Sequence, residues 1–271
     1  MHRTWFTPLA VLTLAAFSLL STGCEKLRAR DNLNKGVQAY KNAQYPAAVE
    51  RFEEAVQLDP TFATARLYLA MAYYIQYIPG AESPENQQNA DHAFKEFNKV
   101  LEQDPKNDIA TQTIASLYFN EKKWDEAEVW YKKAVEINPK NADGYYTLGV
   151  IAWTKWFRPW AEARAKLGMK TEDPGPIKDK KVREELRSQY FGIIEEGLKN
   201  LQKALEIDKE YDAAMAYTNL LIRERADLDD SPDQYKKDIE VADNWVQQAM
   251  QTKKIKAERK PTSSGITTEA K

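Results

Sequence analysis

The sequence predicts an all-α solenoid of about five helix–turn–helix repeats, with insertions between the helices of some repeats. One observation is a 34-residue unit, Asp108–Asn141, in which small and apolar residues recur at spacings of three and four. This spacing places them on one face of an α-helix. A second observation is that the same pattern recurs before and after this unit. Such a unit can bury its apolar face only by stacking on copies of itself.

The central unit contains the residue types that two closely packed antiparallel helices need. Ala115, Ala127 and Ala134 are small, so each helix can approach its neighbour closely. Tyr131 lies between the last two on the same helical face. Pro139 cannot continue the interior of a helix, so it predicts the end of the second helix and the turn into the next unit.

These residues resemble the signature of the tetratricopeptide repeat (TPR), which has small residues at positions 8, 20 and 27 of each unit and proline at position 32. The resemblance implies a TPR-type α-solenoid over Ala29–Gln251. The implied units are 29–62, 63–107 with a loop insertion at 76–89, 108–141, 142–211 with an aromatic-rich insertion at 155–188, and a degenerate fifth unit at 212–251. Residues 252–271 are polar and basic, and they predict a disordered tail.

Residues 1–23 have the pattern of a secretory signal peptide that is removed from the mature protein. His2 and Arg3 form a basic start, and the run Trp5–Leu20 is mostly apolar. This run is short for a membrane-spanning helix, which needs about 20 apolar residues.

Cys24 is the single cysteine of the chain, and it follows Leu20-Ser21-Thr22-Gly23. This run resembles a bacterial lipobox, although serine stands where leucine is usual three residues before the cysteine. The resemblance implies that Cys24 becomes the lipid-modified N-terminus, carrying palmitate-type chains, and that residues 24–28 form a lipid-anchored linker. Glu25 implies the outer membrane, facing the periplasm. The alternative is an ordinary signal peptide followed by an incidental cysteine.

Composition excludes several classes of function. With 39 basic and 41 acidic residues the net charge is −2, so neither nucleic acid nor an anionic membrane surface is the predicted partner. One cysteine and two histidines offer no set of zinc or redox ligands. There is also no glycine-rich phosphate loop and no nucleophile elbow. The sequence therefore predicts a protein that is not an enzyme and that binds no cofactor and no metal.

The TPR resemblance also predicts a partner-binding surface. In that family the first helices of successive units line a concave face, and position 12 is aromatic in four consecutive units of this chain. The predicted concave-face residues are Tyr40, Leu67, Met71, Tyr74, Phe119, Tyr146 and Trp153. Aromatic side chains provide large contact areas for peptide ligands. The alternative is that these rings pack against the neighbouring repeat.

The insertion at 155–188 is a second candidate for partner binding. It begins next to Trp153 with Trp156, Phe157 and Trp160, and Pro159 is placed to begin a new short helix. Insertions between repeat helices often lie on the binding face. The alternative is that these aromatic residues form a small core of the insertion itself.

The sequence as a whole favours a non-enzymatic scaffold, anchored by lipid in the bacterial envelope, that recruits or assembles other envelope proteins or peptides through its concave face. The alternative function is an accessory component of an envelope export or polysaccharide system. Such a component would bind a glycan or another substrate through the aromatic side chains of the insertion.

Overall fold

The computed structural model describes the backbone of residues 8–259 and the side chains of residues 23–259. Over this range the backbone forms ten α-helices and no strand. The helices are α1 (Pro8–Lys41), α2 (Tyr45–Leu58), α3 (Ala63–Tyr74), α4 (Pro84–Gln103), α5 (Asp108–Asn120), α6 (Trp124–Ile137), α7 (Ala142–Lys166), α8 (Lys180–Ile207), α9 (Asp212–Ala226) and α10 (Pro232–Arg259). The predicted all-α solenoid fold is therefore confirmed.

The chain divides into two compact units. The first unit ends at Lys123 and the second begins at Trp124, so the boundary lies in the turn between α5 and α6. In the first unit each helix packs on the next, and α1 also touches α3. In the second unit each helix from α6 to α10 again packs on the next, and α7 also touches α9. First helices of successive repeats are thus neighbours within each unit.

Side-chain caps explain where several helices begin. Asn107 accepts a hydrogen bond from the backbone N–H of Ala110 at 3.0 Å, and Asn141 accepts one from Gly144 at 2.9 Å. Asp179 caps α8 in the same way, by accepting from Val182 at 3.0 Å. Each bond satisfies one of the backbone donors that the first turn of a helix leaves without a partner.

Small residues set the distance between paired helices. A Cβ atom at Gly36 of α1 would lie 2.5 Å from the ring of Phe52 on α2. A Cβ atom at Gly149 of α7 would lie 2.4 Å from Cγ of Leu201 on α8, and Gly197 of α8 faces the methyl group of Ala152. The small residues at position 8 of the repeat therefore serve the close packing that their spacing predicted.

The largest departures from the repeat lie in the second unit. The helix α7 continues through Pro159 to Lys166, so no separate short helix begins at that proline. The insertion at 155–188 is therefore the end of α7, a connecting loop and the beginning of α8. This extension is stabilised because Trp156 and Trp160 bury their rings in a core shared with Ile194, Leu201 and Leu221.

Three other predicted segments also contain helix. Residues 24–28, the predicted linker, lie within α1, and residues 84–89 of the predicted loop insertion belong to the first turns of α4. The predicted disordered tail is helical from residue 252 to Arg259, where α10 ends, and residues 260–271 lie outside the described residues. The start of the predicted signal peptide, residues 1–7, also lies outside them. None of the described helices is both long enough and apolar enough to span a membrane.

The packing of α7 on α8 predicts opposite effects at two glycines. We expect Gly149→Ala to lower the free energy of unfolding by roughly 1–2 kcal/mol, because the clash with Leu201 outweighs the helix-forming advantage of alanine. Gly192→Ala, in the same helix as Leu201 but with open space around it, should raise the free energy of unfolding by about 0.5–1 kcal/mol.

Urea unfolding followed by tryptophan fluorescence measures both variants, because six of the seven tryptophans lie after Lys123. Equal changes of the same sign in the two variants would contradict the packing described for Gly149.

Candidate functional site

The predicted concave-face residues of the first unit lie on α1, α3 and α5 and are half-buried. These residues are Tyr40, Leu67, Met71, Tyr74 and Phe119. The hydroxyl groups of Tyr74 and Ser116 lie 2.9 Å apart, which joins α3 to α5. The Tyr40 ring meets the edges of Tyr45 and Tyr68 at centroid distances of 5.4 and 6.4 Å. The rings thus pack on their own unit and still leave surface exposed.

In the second unit the corresponding residues, Tyr146 and Trp153, lie on α7 and are also half-buried. Tyr217 of α9 meets both rings, at 5.7 Å from Tyr146 and 5.4 Å from Trp153. Burial raises the pKa of Tyr146 to about 12, so its hydroxyl group stays neutral. We use the term aromatic ridge for Tyr146, Trp153 and Tyr217.

The structure corrects the predicted role of Trp156 and limits that of Trp160. Trp156 is completely buried and offers no surface to a partner, and Trp160 is 6% exposed, so only a small part of its ring can meet one. The reason is that α7 remains one helix, which places residues 153, 156, 157 and 160 along one side, turned towards α8 and α9. Phe157 is half-buried and packs on Trp153 at a centroid distance of 4.8 Å.

A cavity of about 490 Å³ lies beside these aromatic residues in the second unit. We call it the α7–α9–α10 pocket. Its walls are formed by α7, α9, α10 and the loop between α7 and α8. Trp153, Phe157 and Trp160 form the aromatic wall, and Leu220 and Ile239 add apolar surface. This volume lies within the range of about 300–1,000 Å³ that is typical of ligand pockets.

A buried ion pair closes one end of the pocket. Arg164 of α7 is 1% exposed and donates to the carboxylate of Asp227, which follows α9, while Trp160 donates to the same carboxylate at 2.8 Å. Arg164 also donates to the backbone carbonyls of Lys170 and Asp173. One guanidinium group therefore holds the loop after α7 against α9, with all its nitrogens engaged.

A second buried acid, Glu224 of α9, lines the same pocket and is 4% exposed. Its Oε1 accepts a hydrogen bond from the indole N–H of Trp153 at 2.9 Å. Its Oε2 accepts no hydrogen bond of normal geometry among residues 23–259, although the indole N–H of Trp156 lies near enough to favour the charged form of this acid. Burial raises the pKa of Glu224 to about 8; the charge of Asp227 adds to the shift, and the indole N–H groups of Trp153 and Trp156 oppose it.

Two further polar residues of the pocket are held by other parts of the chain. Arg223 pairs with Asp243 of α10. The hydroxyl group of Tyr235 accepts a hydrogen bond from the backbone N–H of Gly175 at 3.0 Å. Within the described part of the chain, no group of three or more histidine, cysteine, aspartate or glutamate side chains is placed to hold a metal ion.

The aromatic wall of this pocket is formed by residues that the sequence predicted as candidates for partner binding, whereas its charged residues were not predicted. Glu224 and Asp227 lie far along the chain from their partners on α7, at sequence separations of 71 for Trp153–Glu224 and 67 for Trp160–Asp227. One signal was available. Leu221 and Glu224 are three residues apart on the predicted helix, so an acid occupies a position of its apolar face.

Family models and relatives agree with this fold. Residues 33–78 match the model described as tetratricopeptide repeat, and residues 115–155 match a second model described as TPR repeat. Both segments carry tetratricopeptide repeats. These two matches fall in the first, second, third and fourth predicted units.

The TPR chain is similar in sequence to the human mitochondrial import receptor subunit TOM70, with 22% identity over 206 residues. This match covers 76% of the chain but only 28% of the receptor, so the chain spans about a quarter of that protein. It is also 23% identical to the photosystem I assembly protein Ycf3 of Prochlorococcus marinus, over 56% of this chain and 91% of that protein.

Solved structures share the architecture. The crystal structure of MamA superposes with a TM-score of 0.56 at 14% identity, covering 86% of this chain and 96% of that one. YrrB, described as a TPR protein with an unusual peptide-binding site, superposes with a TM-score of 0.51 at 14% identity, covering 82% and 90%. At these identities the likeness concerns the fold alone.

The raised pKa of Glu224 predicts how stability depends on pH. Between the ordinary value of 4.5 and about 8, the folded protein keeps a proton that the unfolded chain releases, so the free energy of unfolding falls as pH rises through this window. Glutamine does not titrate, so the free energy of unfolding of Glu224→Gln should not show this fall. Between pH 5 and pH 8.5 the difference in unfolding free energy between the variant and wild type should shift by roughly a few kcal/mol in favour of the variant, since one pKa unit corresponds to about 1.4 kcal/mol.

Urea titrations at both pH values measure this difference, with Glu240→Gln on the exposed side of α10 as the control. Parallel pH profiles for wild type and Glu224→Gln would show that this side chain is not a buried acid.

Proposed function

We propose that this TPR protein is a non-enzymatic scaffold that binds other proteins or peptides through the first helices of its repeats. The observation that carries the proposal is the row of half-buried aromatic and apolar side chains on these helices, including Tyr40 and Tyr74 in the first unit and Tyr146 and Trp153 in the second. Half-buried rings are held in place by their neighbours, so a partner gains contact area at a low cost in side-chain entropy.

The names of the similar proteins support a binding role of this kind. They are named as an import receptor subunit, a photosystem assembly protein and a TPR protein with a peptide-binding site, and these names fit a protein that binds other polypeptides. The chemistry of the described residues agrees, because the strongest cluster of polar groups, around Arg164, is occupied in holding a loop rather than exposed to a substrate.

We further propose that the scaffold is anchored by lipid on Cys24 in a bacterial envelope, at the outer membrane facing the periplasm. Cys24 is exposed on α1, sixteen residues after the helix begins at Pro8. A thiol on the exposed side of a helix is accessible to acylating enzymes, and a diacylated anchor is stable because two chains exceed the marginal binding of one.

The alternative of a glycan-binding accessory protein has less support. Stacking on a sugar needs an exposed ring face, and both Trp156 and Trp160 are buried. Of the four aromatic residues in this stretch, only Trp153 and Phe157 keep exposed surface.

Site-specific photo-crosslinking in intact cells tests the scaffold. A benzophenone amino acid at Met71 of α3 should yield discrete adducts with partner proteins, whereas the same amino acid at the exposed Lys95 of α4 should yield few. Leu67→Glu should reduce the Met71 adducts roughly tenfold, because a loss of about 1.4 kcal/mol in binding corresponds to that factor. Circular dichroism should show an unchanged helix content for the variant. Equal adducts from Met71 and Lys95 would contradict a role for the first helices.

The lipid anchor has its own test. Cys24→Ser should move the protein from the membrane fraction to the soluble fraction and abolish labelling by radioactive palmitate, because the thioether can no longer form. A control with Lys35→Ala, on the exposed side of α1 and outside the lipobox, should keep both the fractionation and the labelling. If Cys24→Ser remains in the membrane fraction and labelled, the anchor is not attached at this residue.

A further inference from the structure

The α7–α9–α10 pocket is lined by more acidic than basic side chains. Arg164 is paired with Asp227, and Arg223 is paired with Asp243. Three other carboxylates line the pocket, on Glu172, Asp173 and Glu224, and no ion pair to them is present over the part of the chain that the structure describes. A ligand that enters this pocket therefore meets acids without counter-ions.

The aromatic wall favours the same type of ligand. Trp153, Phe157 and Trp160 line the cavity, and the faces of such rings carry negative partial charge that attracts cations. Trp160 already attracts one cation in this way, since the guanidinium carbon of Arg164 lies 5.3 Å from its ring centroid. A cation in this cavity would meet ring faces and the carboxyl group of Glu224 together, and cation–π attraction is stronger where the cation is partly desolvated.

The orientation of Glu224 adds a third argument. On the protein side Trp153 donates a hydrogen bond to Oε1, and the indole N–H of Trp156 also favours the charged form of this acid. These donors favour the ionised form of Glu224, whereas burial keeps the acid protonated at neutral pH, and no ion pair to it forms among the described residues. A cation that enters the pocket would supply a counter-ion for the ionised form.

We propose that the α7–α9–α10 pocket binds a cationic side chain, lysine or arginine, presented by a partner polypeptide, with Glu224 as its counter-ion. The proposal rests on the scaffold function and names the chemistry of one of its contacts. An anionic ligand is disfavoured because all the nitrogens of Arg164 already donate to chain oxygens, and because the carboxyl groups of Glu172 and Asp173 line the pocket. A neutral ligand would leave Glu224 protonated and would gain no ion pair from it.

Binding of a cation at this position is coupled to the release of a proton. In the empty pocket the pKa of Glu224 is about 8, and a nearby cation lowers it. The other titratable groups that face the pocket lie on four parts of the chain. They are Arg164 on α7, Arg223 on α9 with Asp227 directly after it, Tyr235 on α10, and Glu172 and Asp173 in the loop between α7 and α8. Of these, Arg164, Arg223 and Asp227 are held in ion pairs, so Glu224 dominates the pH dependence.

The test uses the purified full-length protein and two neutral-ended probes, Nα-acetyl-lysine N-methylamide and its norleucine counterpart, which has the same aliphatic stem without the charge. Shifts of the indole N–H resonance of Trp153 report binding. The lysine probe keeps its charge below its pKa of about 10.4, so only the protein titrates between pH 6.5 and 8.5. We expect the lysine probe to bind and the norleucine probe not to bind. Affinity for lysine should rise roughly 25-fold between pH 6.5 and pH 8.5, because the ionised fraction of Glu224 rises by that factor when its pKa is about 8.

Glu224→Gln should weaken lysine binding at pH 8.5 roughly tenfold and remove its pH dependence, while Glu240→Gln should change neither. Phe157→Leu is a second variant that keeps the carboxylate, and it should weaken binding through loss of a ring face. Equal binding of both probes, or unchanged lysine binding in Glu224→Gln, would overturn the proposal. Shifts caused by neutral saccharides alone would overturn it in favour of a glycan site.

This experiment is separate from the crosslinking test of the scaffold. Lysine binding that depends on Glu224, together with an absence of crosslinked partners, would establish a cation site on a protein that is not a scaffold. Crosslinked partners without lysine binding would support the scaffold function and overturn the proposal that this pocket binds a cationic side chain.

Discussion

The second unit depends on the close approach of α7 and α8 at their two glycines. At Gly149 and Gly197 the helices are separated only by the side chains of Leu201 and Ala152, and any Cβ atom at either glycine would overlap them. Close contact at this point lets both helices continue in contact well beyond the length of a standard repeat. The extended parts then need apolar residues between them, and Trp156 with Ile194 fills that space. The pocket exists because α7 is long enough to carry Trp160 and Arg164 past the end of α9.

Arg164 holds the loop after α7 against Asp227 at the end of α9, and these contacts form part of the wall of the cavity. Burying a guanidinium and a carboxylate costs several kcal/mol of desolvation per ion, and the cost is offset only when nearly every donor finds a partner. Arg164 meets that condition with Asp227 and two loop carbonyls. Glu224, one helical turn before Asp227, does not meet it, because only one of its oxygens is satisfied. The two acids thus have different roles: one closes the structure and the other remains available to a ligand.

The fold could be predicted from the sequence because its determinants are local. Each repeat contains its own determinants, which are a small residue at position 8, alanines at positions 20 and 27 and a proline at position 32. The small residues let the two helices approach closely, and the proline ends the second helix. The path of α7 could not be predicted in the same way. Pro159 is compatible with a helix start or with a helix interior, and the burial of Trp156 and Trp160 on α8 and α9 decides between them. The charged half of the pocket was hidden for a related reason, since Arg164 and Asp227 meet only after α7 and α9 pack.

Trp153 connects the two candidate surfaces of the second unit. Its ring belongs to the aromatic ridge through Tyr217, and its indole N–H holds Glu224 inside the pocket. A polypeptide that contacts Tyr146 and Tyr217 therefore reaches the mouth of the pocket at the next aromatic residue along α7. Aromatic contacts on the ridge would supply affinity with little dependence on sequence, whereas a lysine or arginine inserted beside Glu224 would select one segment over another. A segment without such a side chain would gain no ion pair with Glu224, and this difference in affinity between the two segments would make the pocket selective.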